Sequence, residues 1–167
     1  IGYCLRHQEQ GKHIITTAIE HHAVLETIDY LVQHFGFEVT IIQPEKQEIT
    51  AQQIQKALRD DTILVSTMFA NNETGNLLPI AEIGQILKQH PAAYHVDAVQ
   101  AIGKIPIPPE KLGIDFLTAS AHKFHGPKGI GFLYASSMDF DSYLHGGDQE
   151  QKKRAGTENL AAIVGMV

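Results

Sequence analysis

The chain has a single cysteine, Cys4, and no tryptophan. One thiol excludes an internal disulfide and any zinc site built on several cysteines. Basic residues are outnumbered, with 13 Lys and Arg against 19 Asp and Glu and a formal net charge of -6. No Lys/Arg stripe is present to neutralise phosphates, and KKR at 152–154 is too short to serve, so no nucleic-acid partner is expected. No apolar run approaches the roughly 18–20 residues that cross a bilayer, and no charged segment followed by an apolar one opens the chain. No membrane partner is expected, and a cytoplasmic location is the default. What remains is an ordinary soluble composition, 43% hydrophobic over 167 residues, enough for one domain with a sizeable core. The chain opens on Ile1 and stops inside the apolar helical pattern NLAAIVGMV, so both ends read as cuts through a longer protein.

Apolar, β-branched runs recur at 13–19, 37–43, 62–70, 93–99, 115–121 and 129–136. Several lack polar alternation, which predicts strands buried on both faces. Helical patterns lie between the first four. HAVLETIDYLVQHF carries Val24, Leu25, Ile28, Leu31, Val32 and Phe35 on one face and ends at Gly36. TAQQIQKALRD starts at a Thr50 N-cap, and PIAEIGQILKQH has Pro79 in its first turn. Such alternation predicts an α/β fold with a mostly parallel mixed sheet flanked by helices. PIPPEKLG, residues 106–113, reads as a surface loop, and nothing marks a domain boundary.

In such sheets the chemistry collects at strand ends. His21 and His22 follow the first strand; Asn71, Asn72 and Glu73 the third; Asp97 and Gln100 close the fourth; Ser120, His122 and Lys123 close the fifth. A pyridoxal phosphate site needs a lysine for the Schiff base, a carboxylate on the ring nitrogen, donors to the phenolic oxygen, an aromatic cover and a phosphate cradle. Lys123, Asp97, Asn72 with Gln100, His21, and Ser120 with His122 supply one residue type for each task. Each also has a plainer reading. Lys123 reads as a solvated surface lysine, Asp97 as a helix N-cap, Asn72 as a turn residue, and His21-His22 as the polar start of a helix. His122 and His125 have the spacing of two zinc ligands without an acidic third nearby, and no metal is expected. GPKGIG lacks the GK[ST] ending of a phosphate loop and leads into a strand, so a tight turn is expected there.

The blocks EHHAVLET, FANNETGNLLPI, YHVDAVQAIGKIPI, ASAHKFHGPKGIGFLY and HGGDQEQKKRAGTENLAAIVGM resemble the cysteine desulfurases of the NifS/IscS-like group, within the class V aminotransferase family. The resemblance runs from about Gly11 to the end. It implies that residues 1–167 are a partial cofactor-binding large domain of the fold-type I architecture, without the small C-terminal domain. It implies a reaction from L-cysteine to L-alanine with sulfur leaving as an enzyme persulfide, for iron–sulfur cluster assembly or other sulfur trafficking. Lys123 becomes the Schiff-base lysine and, with His21, the catalytic pair; Asp97 holds the pyridinium proton. Gln100 and Asn72 serve the phenolic oxygen, His21 stacks on the ring, and Ser120 and His122 bind the phosphate. Thr157 is expected to reach the cofactor of a neighbouring subunit, which implies a homodimer. Glu20 and His22 receive no role. The family's upstream phosphate motif, its persulfide cysteine and its substrate-carboxylate arginine are not matched, and Arg154 is left to shape a loop. Other class V enzymes, such as a selenocysteine lyase or an aminotransferase, and a non-catalytic cofactor-binding remnant are the alternatives.

Overall fold

Six strands form in the computed structural model, which describes residues 1–167, and each lies within one of the β-branched runs. They are β1 (His13–Thr17), β2 (Glu38–Ile42), β3 (Thr62–Met68), β4 (Ala93–Asp97), β5 (Phe116–Ser120) and β6 (Gly131–Ala135). One sheet results, in the order β2-β1-β3-β4-β5-β6, with the first five strands parallel and β6 antiparallel to β5. The expected two-sided burial is visible within β1. Ile14 packs with Cys4, Ile28 and Leu31, whereas its neighbour Ile15 packs with Ile54, Val65 and Ile83 in a separate cluster.

The helices supply those two layers. α1 (Gly2–His7) and α2 (His22–Phe35) bury Cys4, Ile28 and Leu31 on one side; α3 (Ala51–Ala57) and α4 (Ile80–Leu87) bury Ile54, Ile80, Ile83 and Leu87 on the other. α2 ends where expected, because Gly36 takes the left-handed conformation (φ 68°) that lets its N–H turn back to the Leu31 carbonyl. Thr50 opens α3 with a reciprocal cap: its hydroxyl accepts from the Gln53 N–H, and the Gln53 side chain accepts from the Thr50 N–H. The PIPPEKLG segment differs from a plain loop. It holds a single helical turn, α5 (Pro109–Leu112), because Pro109 is preset for a first helical turn and Gly113 (φ 70°) closes it. α1 was not foreseen, since six residues are too few for a 3.6-residue period to show. α6 (Gln149–Lys152) and α7 (Leu160–Met166) complete the chain. Cys4 is fully buried and its thiol is pushed up to about 11 by burial, so it is the packing residue its position suggests.

Candidate active site at the strand ends

From β1 the chain runs outward to β2, crosses back over β1 to β3, and continues to β4 and β5. The connections leaving β1 and β3 therefore diverge, and the carboxyl ends of these two strands flank a switch point, where α/β sheets hold their ligands. The four strands whose ends carry the predicted residues, β1, β3, β4 and β5, are consecutive in the sheet. At ~4.8 Å per strand they span about 14 Å, a width suited to a small cofactor.

His21 is both a helix cap and a candidate ring. Its Nδ1 accepts from the Ala23 N–H at 3.1 Å, which spends that lone pair and places the proton of the neutral imidazole on Nε2. The cap uses one edge of the ring, and the His22 ring lies edge-on at 6.3 Å between centroids. Asp97 ends β4 at 9% exposure, with Oδ1 accepting from the Val99 N–H at 2.9 Å and no hydrogen bond on its other oxygen. The segment after it folds into turns, so the helix N-cap reading of Asp97 reduces to a turn bond. Burial raises the Asp97 pKa, while the Val99 N–H and the nearby His21 oppose the rise.

Two adjacent asparagines divide the work after β3. Asn71, not Asn72, holds the turn: its Oδ1 accepts from the N–H groups of Glu73 and Thr74, and its Nδ2 donates to the Ile19 carbonyl at 2.9 Å. Asn72 is exposed and keeps its amide free. The sequence analysis places Asn71 at this strand end but offers the turn role to Asn72, although an Asn two and three residues before turn N–H groups is a recognisable Asx-turn pattern.

Past β5, Ser120 leads into a 3-10 turn over Ala121–Lys123 without capping it, and His122 and Lys123 are exposed. Lys123 thus escapes the desolvation that a lysine inside the domain body would suffer. Gly103 joins the two halves of the site. It sits at φ 78°, and a Cβ there would lie 2.8 Å from the Cβ of Phe124, so the turn after Asp97 presses directly on the residue beside Lys123. Gly103→Ala is expected to destabilise the protein by roughly 1–2 kcal/mol, from the positive φ and the displaced phenyl ring, read as a lowered denaturation midpoint.

Thr157 is exposed in the loop between α6 and α7. That loop is held by its own bonds: Gly156 N–H to the Gln149 side chain at 3.1 Å, Ala155 N–H to the Leu144 carbonyl at 3.2 Å, and Arg154 Nη1 to the Ala155 carbonyl at 3.1 Å. Glu150, Gln151 and Lys152 are left-handed, at φ 47°, 56° and 67°. No three His, Cys, Asp or Glu side chains gather as metal ligands. A concavity of about 670 Å³ lies between Ile19, Glu48, Leu77 and Glu82, and none of the predicted residues lines it. The strand-end residues form an open rim instead, with His21, Asn72, His122 and Lys123 all exposed. Beneath that rim Glu20 is buried at 6% exposure, pushed up to about 7 chiefly by that burial.

The profile of the aminotransferase class-V family matches residues 1–167. The chain is 52% identical over 167 residues to the cysteine desulfurase IscS of Methanosarcina thermophila, covering 99% of this chain and 41% of that protein. It is 49% identical over 159 residues to the cysteine desulfurase IscS of Dictyoglomus turgidum, covering 94% and 40%. Among solved structures it resembles SspA in complex with cysteine, at a TM-score of 0.93 and 39% identity over 99% of this chain and 48% of that one. A NifS-like protein superposes with a TM-score of 0.93 and 42% identity, over 99% of this chain and 46% of that one. The chain thus spans less than half the length of these relatives.

Proposed function

The chain belongs to the aminotransferase class-V family, and from that premise we propose that it is the cofactor-holding part of a pyridoxal-phosphate-dependent cysteine desulfurase. The observation that carries the reading is the unspent donor set at three consecutive strand ends, those of β3, β4 and β5. The side chains of Asn72, Gln100, Ser120, His122 and Lys123 make no hydrogen bond within the chain, and Asp97, which ends the strand between β3 and β5, is buried with one carboxylate oxygen free. That set fits the cofactor: an acceptor for a protonated ring nitrogen, amide and hydroxyl donors for oxygens, imidazole and ammonium groups for charge, and an exposed amine to bond covalently. When bound, pyridoxal phosphate supplies an electron sink for bond breaking at the α-carbon of an amino acid.

In this reading Asp97 holds the ring-nitrogen proton on its free oxygen, and its burial strengthens that charged contact. His21 would cover the ring and, with the proton on Nε2, would supply a donor there. Gln100 and Asn72 donate to the phenolic oxygen, and Ser120 and His122 hold the phosphate. Lys123 would hold the cofactor through its exposed amine, and the same amine would be placed to move the α-proton. Sulfur passes from L-cysteine to an enzyme thiol as a persulfide, and the substrate carbon that loses it takes up a proton to give L-alanine. Cys4 is buried and held as a thiol, so the accepting cysteine is assigned to residues outside these 167. The substrate-carboxylate arginine is assigned there too, since Arg6 is paired with Asp139 and Asp141, Arg59 with Glu38 and Asp61, and Arg154 donates to the Ala155 carbonyl within its own loop.

The exposed Thr157, whose side chain makes no hydrogen bond within the chain, is compatible with a homodimer in which it reaches the partner's cofactor, with these residues forming part of the large domain of each subunit. No helix is long and apolar enough to cross a membrane, and the proposal places the protein in the cytoplasm, passing sulfur to an iron–sulfur scaffold or another acceptor protein. Borohydride reduction of the full-length protein with pyridoxal phosphate, followed by peptide mapping, tests the assignment. The pyridoxyl group is expected on Lys123; finding it on Lys128 instead overturns the site.

A further inference from the structure

Of the two buried acids at these strand ends, Glu20 is the one that bridges β1 and β3, the strands of the switch point. It follows β1 directly, and its side chain folds back so that Oε1 accepts from the Thr17 hydroxyl at 2.6 Å and from the Met68 N–H at 2.9 Å. Thr17 ends β1 and Met68 ends β3, so one carboxyl oxygen ties the two strand ends between which the sheet order turns. Met68 is the register partner of Asp97, and His21 is the next residue after Glu20. The other oxygen, Oε2, is buried with no hydrogen-bond partner.

That asymmetry identifies the proton. A carbonyl oxygen has two lone pairs, and on Oε1 both are used; a buried partnerless oxygen costs far less as a neutral hydroxyl than as part of an anion. We propose that Glu20 is a positioning residue for the cofactor site that works in its neutral form: it clamps the ends of β1 and β3, sets the start of the His21 segment, and leaves Asp97 as the one charged carboxylate beside it. The inference rests on the cofactor reading given above and goes beyond it, since Glu20 touches neither cofactor nor substrate there.

The surrounding groups agree. Burial moves Glu20 up to about 7, the Thr17 and Met68 bonds act against that shift, and the charge of Asp97 adds to it. Asp97 is the carboxylate facing it from β4. Tyr94, on the same strand, is fully buried, bonded to the Thr67 hydroxyl, and stays neutral. His21 lies close enough to Asp97 to favour its charge, and Glu82 is the further acid acting on Tyr94. Because the folded pKa lies above the ordinary 4.5, the stability that the Glu20 proton confers is complete below about 4.5 and is lost as pH rises through about 7.

Glu20→Gln keeps an acceptor for Thr17 and Met68 while removing the charge, and Glu20→Ala removes the clamp. On the cofactor-free full-length protein, the thermal midpoint of E20Q minus that of wild type is expected near zero at pH 5.5. It should rise by about 2–4 °C by pH 8.5. A flat difference, or one that falls with pH, shows that Glu20 is not neutral at neutrality and overturns the proposal, whether or not the cofactor reading holds. With pyridoxal phosphate added at pH 6, E20Q is expected to bind at least about tenfold more tightly than E20A. The pH titration of the bound cofactor's absorption band is expected to lose an inflection near 7 in E20Q. Equal affinity of E20A and wild type, with the label still on Lys123, removes the positioning role while leaving the proposed function standing; an E20A that does not fold leaves the E20Q profile to decide.

Discussion

Replacing Lys123 with alanine in the full-length protein is expected to lower alanine formation from L-cysteine by about 10⁴-fold or more. A positioned proton-transfer group contributes up to about that factor, and here the same amine also provides the covalent link. Folding should not change, because Lys123 is exposed and makes no hydrogen bond or ion pair that the substitution would break. Turnover and the thermal midpoint are therefore expected to separate cleanly, the first collapsing and the second holding. Turnover within tenfold of wild type would return Lys123 to the solvated surface lysine that its local sequence also permits. Lys128, five residues on and exposed as well, serves as the control, and K128A is expected to retain turnover.

Asp97→Asn is the second large expected loss, about 10²–10³-fold in turnover, the scale associated with removing one preorganised electrostatic contact. Asparagine preserves the shape and can still accept from the Val99 N–H, so the turn after β4 survives. What disappears is the charge that keeps a proton on the ring nitrogen, and with it the charge-assisted bond. Stability should stay level or rise slightly, because burial penalises the charged form of Asp97 and asparagine carries no charge. A ring-nitrogen titration that is unchanged in D97N, or turnover near wild type, would confine Asp97 to its turn bond.

The contrast between these two residues shows where local reading succeeds. All six strands were legible because β-branched runs without alternation have few other uses, and α2 was legible because fourteen residues carry an apolar face that ends at Gly36. The Thr50 and Gln53 cap is local by nature, being built within four residues. Residue types at strand ends were legible too, and they suggested a cofactor before any partner in space was known. Short elements escaped, as α1 did, because one turn and a half has no measurable period.

Strand order was not legible, and the site depends on it. Only the sheet order β2-β1-β3-β4-β5-β6 makes the four functional strand ends neighbours, and that order follows from pairing between segments far apart in the chain. The roles within EHH and NNE were hidden for the same reason. Glu20 is buried while His22 is exposed, and Asn71 is spent while Asn72 is free, because distant groups close over one residue of each pair and not the other. For Glu20 the decisive partner is the Met68 N–H, 48 residues away, and for Asn71 it is the Ile19 carbonyl, 52 away. Composition and periodicity report what a segment buries on average; which single carboxyl loses its water, and therefore keeps its proton, is settled only when β1 and β3 lie side by side.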